Sequence, residues 1–593
     1  MLSPRRMDAS RLRRAAPSFR ATVSRAVAIA LALGLPPSSA RSQVPPIPPG
    51  GPAEILVADD VAAVITAAAE SLADETLAVA VVDRAGTILG VYSRPGADPR
   101  SPDVAVSLAR TTAYFSNDQA PLSSRTVRFI SGIHFPPGIR DQPNAALYGV
   151  ENINRGCALD DLGDAIFNSP IVRPRSIAGT FGLAGAPPLP CNPADTRGCA
   201  VGGPILGEQG VPIYSLGITT GKRDLRDSTN GDGTDVDPGG IPLYRGSQLI
   251  GGVGVTGAAP ERAEFAALVA ATANGRGITT AIDAPEPLPA PGGIFIDGLL
   301  LPFAEASPTE RPAGSSAGAF AQGSYLVAPR DGRQAPEGYL IGPRGSSVPG
   351  GLSVEDVRRI VEQAVAQANR TRAQVRLPSG QSAPFIIAVT DELGEILAEF
   401  RMPDALFDAV DVVPSKARNA YYFSTREGYE VLRGYVDQSP YADYRWEPEP
   451  PGGEGWAITS RSIGFGGQPL FPPGIDQERP PTPGPWFELF VYDTLNPCTE
   501  GPGPSRGGDR SFLNQNGITW FPGSAPLYKG GRPVGGIGVS GDGVEQNDLV
   551  TAAGAVGFEP PPELRVDNSR IVTPFGEPVR IPWLKFPRNP EEF

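Results

Sequence analysis

His134 is the only histidine in the 593 residues, so any imidazole chemistry in this chain runs through one side chain. Zinc sites built on two or three histidines, and tandem arrays of His-ligated c-type haems, are excluded within one subunit. His134 sits in Ile133-His134-Phe135-Pro136-Pro137. Its two readings are a structural hydrogen-bonder and a candidate axial ligand for a haem iron. Met402, Tyr114 and Tyr422 are further potential iron ligands. Cation chemistry falls mainly to arginine. Arg110 and Arg418 stand at matching places in two similar segments, where each would pair with carboxylates such as haem propionates or form an ordinary salt bridge.

Ser228-Thr229-Asn230-Gly231-Asp232-Gly233-Thr234-Asp235 carries oxygen ligands at alternate positions with glycine at the sharp turn, a pattern that suits calcium. Asn230, Asp232 and Asp235 are the candidate ligands. A plain polar turn is the alternative, because Gly239 stands where a bidentate glutamate belongs. Gly252-Val253-Gly254-Val255-Thr256-Gly257 and Gly536-Ile537-Gly538-Val539-Ser540-Gly541 match G-x-G-x-x-G. Neither is followed by the next strand and acid that dinucleotide binding needs. A sheet that lets a ligand or another backbone come close explains them better. Gly314-Ser315-Ser316-Ala317-Gly318 fits G-x-S-x-G but lies in a Pro/Ser/Gly/Ala-rich stretch, not on a strand–turn–helix elbow. No catalytic constellation emerges, which favours a binding protein over an enzyme.

Hydrophobic residues make up 40% of the chain, enough for sizeable cores, while Gly 72 and Pro 67 call for long turn-rich loops between folded modules. A net charge of −13 argues against nucleic acid as a partner. Residues 1–40 read as a signal peptide: arginines from Arg5 to Arg25, an apolar run from Ala26 to Leu35, then small residues to Ala40. The apolar run is shorter than the ~20 residues a membrane anchor needs. The expected product is exported, periplasmic or extracellular, without a transmembrane segment. Export makes disulfides plausible, and Cys191–Cys199 is the preferred pair, with Cys157–Cys191 as its competitor.

The elements that would position these residues occur twice. Residues 83–116 align with 391–424 at an offset of 308 without a gap, with 14 of 34 positions identical. Residues 242–257 align with 526–541 at an offset of 284, and Phe135–Ile139 with Phe471–Ile475. Each copy reads as an opening helix, two strands joined by a tight turn, a second helix, a long Pro/Gly-rich insertion, a strand pair and a closing helix. The domains expected are a first module at 52–276, a linker at 277–349, a second module at 350–559 and a Pro-rich tail at 560–593. Within the linker, Tyr325–Ala328 and Gly338–Ile341 suggest a small hairpin. The fold class is α+β: antiparallel sheets with helices packed on them and long loop insertions.

These blocks resemble the GlcG/HbpS-like haem-binding family. The first copy reads AVVDRAGTILGVYSRPGA, DVAVSLARTTAYFS and IPLYRGSQLIGGVGVTG; the second reads IAVTDELGEILAEFRMPDA, SKARNAYYFS and APLYKGGRPVGGIGVSG. The second copy keeps the family's Lys-Ala pair as Lys416-Ala417, and the first has Leu108-Ala109 there. The resemblance implies two tandem α-β-α sandwiches with a profilin-like sheet, oligomerisation in some members and haem binding in some. It makes His134, Arg110, Arg418, Lys416 and Tyr422 the haem-site candidates. The function it implies is an exported protein for haem storage, scavenging or sensing. The alternative is a non-catalytic scaffold whose modules pair with each other or with a partner protein.

Overall fold

The computed structural model describes residues 54–98, 101–133, 204–206, 212–214, 236–280, 295–296, 299–373, 381–410, 412–468, 471–472, 482–489 and 518–585, all within one compact unit, Ala53–Phe593. Residues 1–40, expected from sequence to be a signal peptide, His134, the calcium candidates Asn230, Asp232 and Asp235, and Cys191 and Cys199 lie outside the described residues.

The first module opens with α1 (Ala58–Ser71) and the hairpin β1 (Ala78–Asp83) and β2 (Ile88–Ser93). Then come α2 (Ser101–Phe115) and α3 (Ser124–Ile133), and a small strand pair β3 (Pro204–Leu206) and β4 (Pro212–Tyr214). The long hairpin β5 (Gly240–Arg245) and β6 (Gln248–Thr256) leads into the closing helix α4 (Pro260–Thr272). Residues 277–349 hold β7 (Phe295–Ile296), β8 (Leu299–Leu300), β9 (Ser324–Val327) and β10 (Gly338–Ile341).

The second module repeats the plan with α5 (Val354–Ala368), β11 (Ile386–Asp391), β12 (Ile396–Arg401) and α6 (Val412–Phe423). Its insertion contributes α7 (Arg426–Asp437), β13 (Arg445–Glu447) and α8 (Ser460–Gly466). The strand pair β14 (Ser524–Lys529) and β15 (Arg532–Ser540), closing helix α9 (Val544–Gly554) and a last hairpin, β16 (Arg570–Val572) and β17 (Pro578–Arg580), complete it.

The two five-stranded antiparallel sheets have one topology: β5-β6-β1-β2-β9 in the first module and β14-β15-β11-β12-β10 in the second. In β1 the side chains alternate as a strand demands. Val79 and Val81 join the core under α1 and α4, while Ala78, Ala80 and Val82 join the core under α2. Each sheet therefore lies between two helical layers.

The repeated residues explain why the two copies share this geometry. Asp83 accepts hydrogen bonds from the Ala85 and Thr87 N–H groups, and Asp391 does the same for Leu393 and Glu395. Each turn closes on a glycine with positive φ, Gly86 at 81° and Gly394 at 79°, which a side chain would strain. The two G-x-G-x-x-G runs prove to be helix seats. A Cβ on Gly254 would stand 2.0 Å from the Ala105 carbonyl, and one on Gly538 would stand 2.0 Å from the Val413 carbonyl. The backbone that comes close is that of α2 or α6, not a phosphate.

The linker departs from the expected hairpin. β9 pairs antiparallel with β2, and β10 pairs antiparallel with β12, so they complete different sheets. The Pro/Ser/Gly/Ala-rich stretch before them also packs: Ala73 N–H donates to Ser316 O and Gly318 N–H to Glu70 O, tying it to the end of α1. The modules touch through an Arg84–Asp404 ion pair, and Ala85 and Tyr114 of the first module belong to the second module's core. No helix among the described residues is long and apolar enough to cross a membrane.

Candidate functional site

The repeated arginines are consumed by the fold. Arg110 and Arg418 are almost fully buried. Arg110 Nε donates to Gly86 O at 2.9 Å, and Arg418 Nε donates to Gly394 O at 2.7 Å. Each guanidinium thereby ties its helix to the glycine turn of the hairpin beside it. Tyr422 is buried in an aromatic core with Phe423, Tyr429, Trp446, Trp456, Trp486 and Trp520. Tyr114, its counterpart, lies with its hydroxyl against Gly86.

Lys416 has no exposed surface. Its ammonium donates to the carbonyls of Pro522 and Val539, each at 2.8 Å, and stands 4.1 Å from the centre of the Phe521 ring. Such a charge is tolerated in a core only when its donors are used. The first module has Leu108 here, packed toward Gly239.

Beside Lys416 lies a charge pair that the repeat blocks do not announce. Arg461, on α8, pairs through Nε with Asp548 of α9, whose carboxylate is fully buried and also accepts the Lys585 N–H at 2.9 Å. Burial pushes the Asp548 pKa up, against the pull of Arg461, first by charge and then by hydrogen bonding. The first module holds the same arrangement. Arg125 Nε donates to Glu264 at 2.7 Å, and Glu264 Oε2 accepts the Glu305 and Ala306 N–H groups at 2.8 and 3.0 Å. The sequence signal was present. Arg125 and Arg461 share the offset of the Phe-Pro-Pro-Gly-Ile block, and Glu264 and Asp548 share that of the glycine strands.

The modules differ in what surrounds this pair. Ser124 Oγ accepts the Gly240 N–H at 2.9 Å and donates to Asp237 O. At the matching place in the second module, Ser524 replaces Gly240 and Asn547 replaces Ala263. There the buried atoms Ser460 Oγ, Asn547 Oδ1 and Asp548 Oδ1 have no hydrogen-bond partner in the protein. The second copy is thus polar where the first is apolar, and its polar groups are not all used by the fold. Buried polar atoms of this kind hold water or a ligand's donors.

A haem needs an axial ligand and cations free to meet its propionates. Of the candidates among the described residues, Arg110, Arg418 and Lys416 spend donors on backbone carbonyls, and Tyr422 is enclosed by aromatic rings. These four do not form a haem pocket in this arrangement. Among the described residues no group of three or more His, Cys, Asp or Glu is placed to hold a metal ion.

Residues 488–556 match the family model described as haem degrading protein HbpS-like. That stretch includes β14, β15 and all of α9. Two solved structures are similar. One is the crystal structure of a PduOC:heme complex, 18% identical, covering 35% of this chain and 94% of that one with a TM-score of 0.18. The other is Klebsiella pneumoniae protein ORFY, of the family model DUF336, 14% identical, covering 36% of this chain and 94% of that one with a TM-score of 0.18. No curated protein matches the chain.

Proposed function

We propose that this chain is a non-catalytic binding protein made of two HbpS-like modules, and that its ligand is haem. The observation that carries the reading is the match of residues 488–556, which include β14, β15 and α9, to the HbpS-like family model. The second module carries buried polar atoms that the fold leaves unused, and the chain's one imidazole stands in the first, so both modules enter the reading. His134 is the chain's only imidazole and the first axial ligand to test. On the character of residues 1–40 we read the protein as exported, in a haem storage, scavenging or sensing role. Calcium at Asn230, Asp232 and Asp235 and a Cys191–Cys199 disulfide belong to the same reading.

The test is a hemin titration of the chain lacking residues 1–40, followed at the Soret band, with His134→Ala alongside. A saturable, red-shifted band that His134→Ala abolishes supports both the ligand and its iron contact. A band that survives the substitution moves the iron contact to Tyr or Met. A titration without saturation rejects haem. The second reading, an interaction scaffold, is favoured by one observation: Arg110, Arg418, Lys416 and Tyr422 all serve the fold.

A further inference from the structure

The linker carries a short repeat of its own. Ser324-Tyr325-Leu326-Val327-Ala328-Pro329-Arg330 parallels Gly338-Tyr339-Leu340-Ile341-Gly342-Pro343-Arg344, at an offset of 14. The two segments dock in the same way on two different sheets. Tyr325 lies opposite Tyr92, and Tyr339 opposite Phe400, which is the matching residue of the second module. Val327 then meets Val91, and Ile341 meets Glu399, again at matching positions, with one register shift in each ladder. The tyrosines meet these neighbours edge-on, with ring centroids 6.4 Å apart for Tyr92–Tyr325 and 5.0 Å for Tyr339–Phe400.

The arginines end both segments alike. Arg330 donates from its backbone N–H to Leu89 O at 3.0 Å and from Nε to Ile88 O at 2.9 Å. Arg344 donates to Leu397 O at 2.9 Å and to Ile396 O at 3.0 Å. The proline before each arginine has no N–H and interrupts the ladder, which the arginine N–H then rejoins.

The connectivity separates recognition from chain order. β10 precedes its module and runs on through residues 345–352 into α5. β9 follows its module, yet reaches the same place: Gly332 N–H donates to Leu56 O and Asp331 Oδ1 accepts the Ala58 N–H at the start of α1. One docking mode is reached from opposite ends of a module. What is common is the segment and the edge that receives it.

We propose that the outer edge of β2, and likewise of β12, is a strand-recognition site for peptides of the form Tyr-Leu-[Val/Ile]-x-Pro-Arg. The linker fills it within the chain, and the same segment of a second copy is its occupant in trans when the internal strand is released. Backbone pairing supplies the attachment, while the tyrosine stack and the arginine at two carbonyls supply the selectivity.

The test uses the full chain carrying Tyr325→Asp, Val327→Asp and Arg330→Ala, which weakens β9 in place. A fluorescent peptide of residues 323–332 is titrated against it and against wild type, read as anisotropy. The expected result is saturable binding to the variant, binding at least tenfold weaker to wild type, and a tenfold loss when the peptide itself carries Arg330→Ala. An unlabelled peptide of residues 337–346 competes. A variant with unchanged far-UV circular dichroism that does not bind, or that binds a scrambled peptide equally well, overturns the proposal. Should the triple variant unfold, Arg330→Ala alone is titrated in the same way. Binding there that exceeds wild type supports the site, and binding no stronger than wild type in 100-fold peptide excess rejects it.

Discussion

Arg461 and Asp548 form a buried ion pair whose counterpart, Arg125 with Glu264, recurs at the matching place in the first module. In both, the carboxylate also accepts backbone N–H groups from the segment that follows the module: Lys585 in one, Glu305 and Ala306 in the other. The arms are alike in more than this. Ser123 and Thr126 donate to Phe303 O and Pro302 O, and Ser462 donates to Pro582 O. Leu301-Pro302-Phe303 and Ile581-Pro582-Trp583 are therefore one structural element, an arm strapped over the closing helix.

Removing the cation strands a buried carboxylate. Arg461→Met is expected to cost about 3–5 kcal/mol of unfolding free energy. Urea denaturation followed by tryptophan emission measures it, because Trp446, Trp456, Trp486 and Trp520 lie in the second module's core. Burial raises the Asp548 pKa, so its charged form is penalised in the folded state. The deficit should shrink as pH falls and Asp548 takes up a proton. A deficit that grows in acid contradicts this account.

Asp83 gives a second pH signature. Burial pushes its pKa up to about 6, although Thr87, Arg333 and Ala85 donate hydrogen bonds to it. A carboxyl raised above its unfolded value of 3.8 costs stability while it is charged. That cost is present above pH 6 and is relieved as pH falls toward 4. Compared with Asp83→Asn, the wild type should therefore gain up to about 3 kcal/mol between pH 7.5 and pH 4. Parallel urea melts at the two pH values check it.

The helix seats are sterically closed. Gly538→Val should destabilise the second module by more than about 3 kcal/mol, since its Cβ would lie inside the contact distance of a helix carbonyl. Gly246, in the β5–β6 turn, meets nothing within 4 Å and has φ 57°. Gly246→Ala should cost only about 1 kcal/mol, from backbone strain alone. Thermal melts of the two variants separate close approach from turn conformation.

Arg418→Lys keeps the charge but removes the Nε donor to Gly394 O. It should lower stability by about 1.5–3 kcal/mol and leave hemin affinity within twofold. Paired urea and hemin titrations read both quantities. A large loss of affinity at unchanged stability would return Arg418 to the ligand site.

The repeat was legible because its positions tolerate little change. Asp83 and Asp391 bind turn amides, Gly86 and Gly394 need positive φ, and Gly254 and Gly538 seat helices. Identity survives where geometry leaves no alternative. The arms were not legible, because Leu301-Pro302-Phe303 and Ile581-Pro582-Trp583 share shape and carbonyl placement but only one identical residue. β9 and β10 read as a hairpin because two four-residue strands in sequence most simply pair with each other. The structure shows that each instead completes a different sheet. Repeated charge at Arg110 and Arg418 was visible, but a sequence does not show whether a guanidinium faces a ligand or a turn carbonyl. The structure shows the carbonyl.

The most direct test of the account is hemin quenching of tryptophan emission in the chain lacking residues 1–40. All five tryptophans (Trp446, Trp456, Trp486, Trp520 and Trp583) belong to the second half of the chain. The account predicts saturable quenching with one hemin per chain, in step with the Soret band. Soret saturation at one equivalent without quenching would place the haem away from the second module. Absence of saturation in both signals would contradict haem binding altogether.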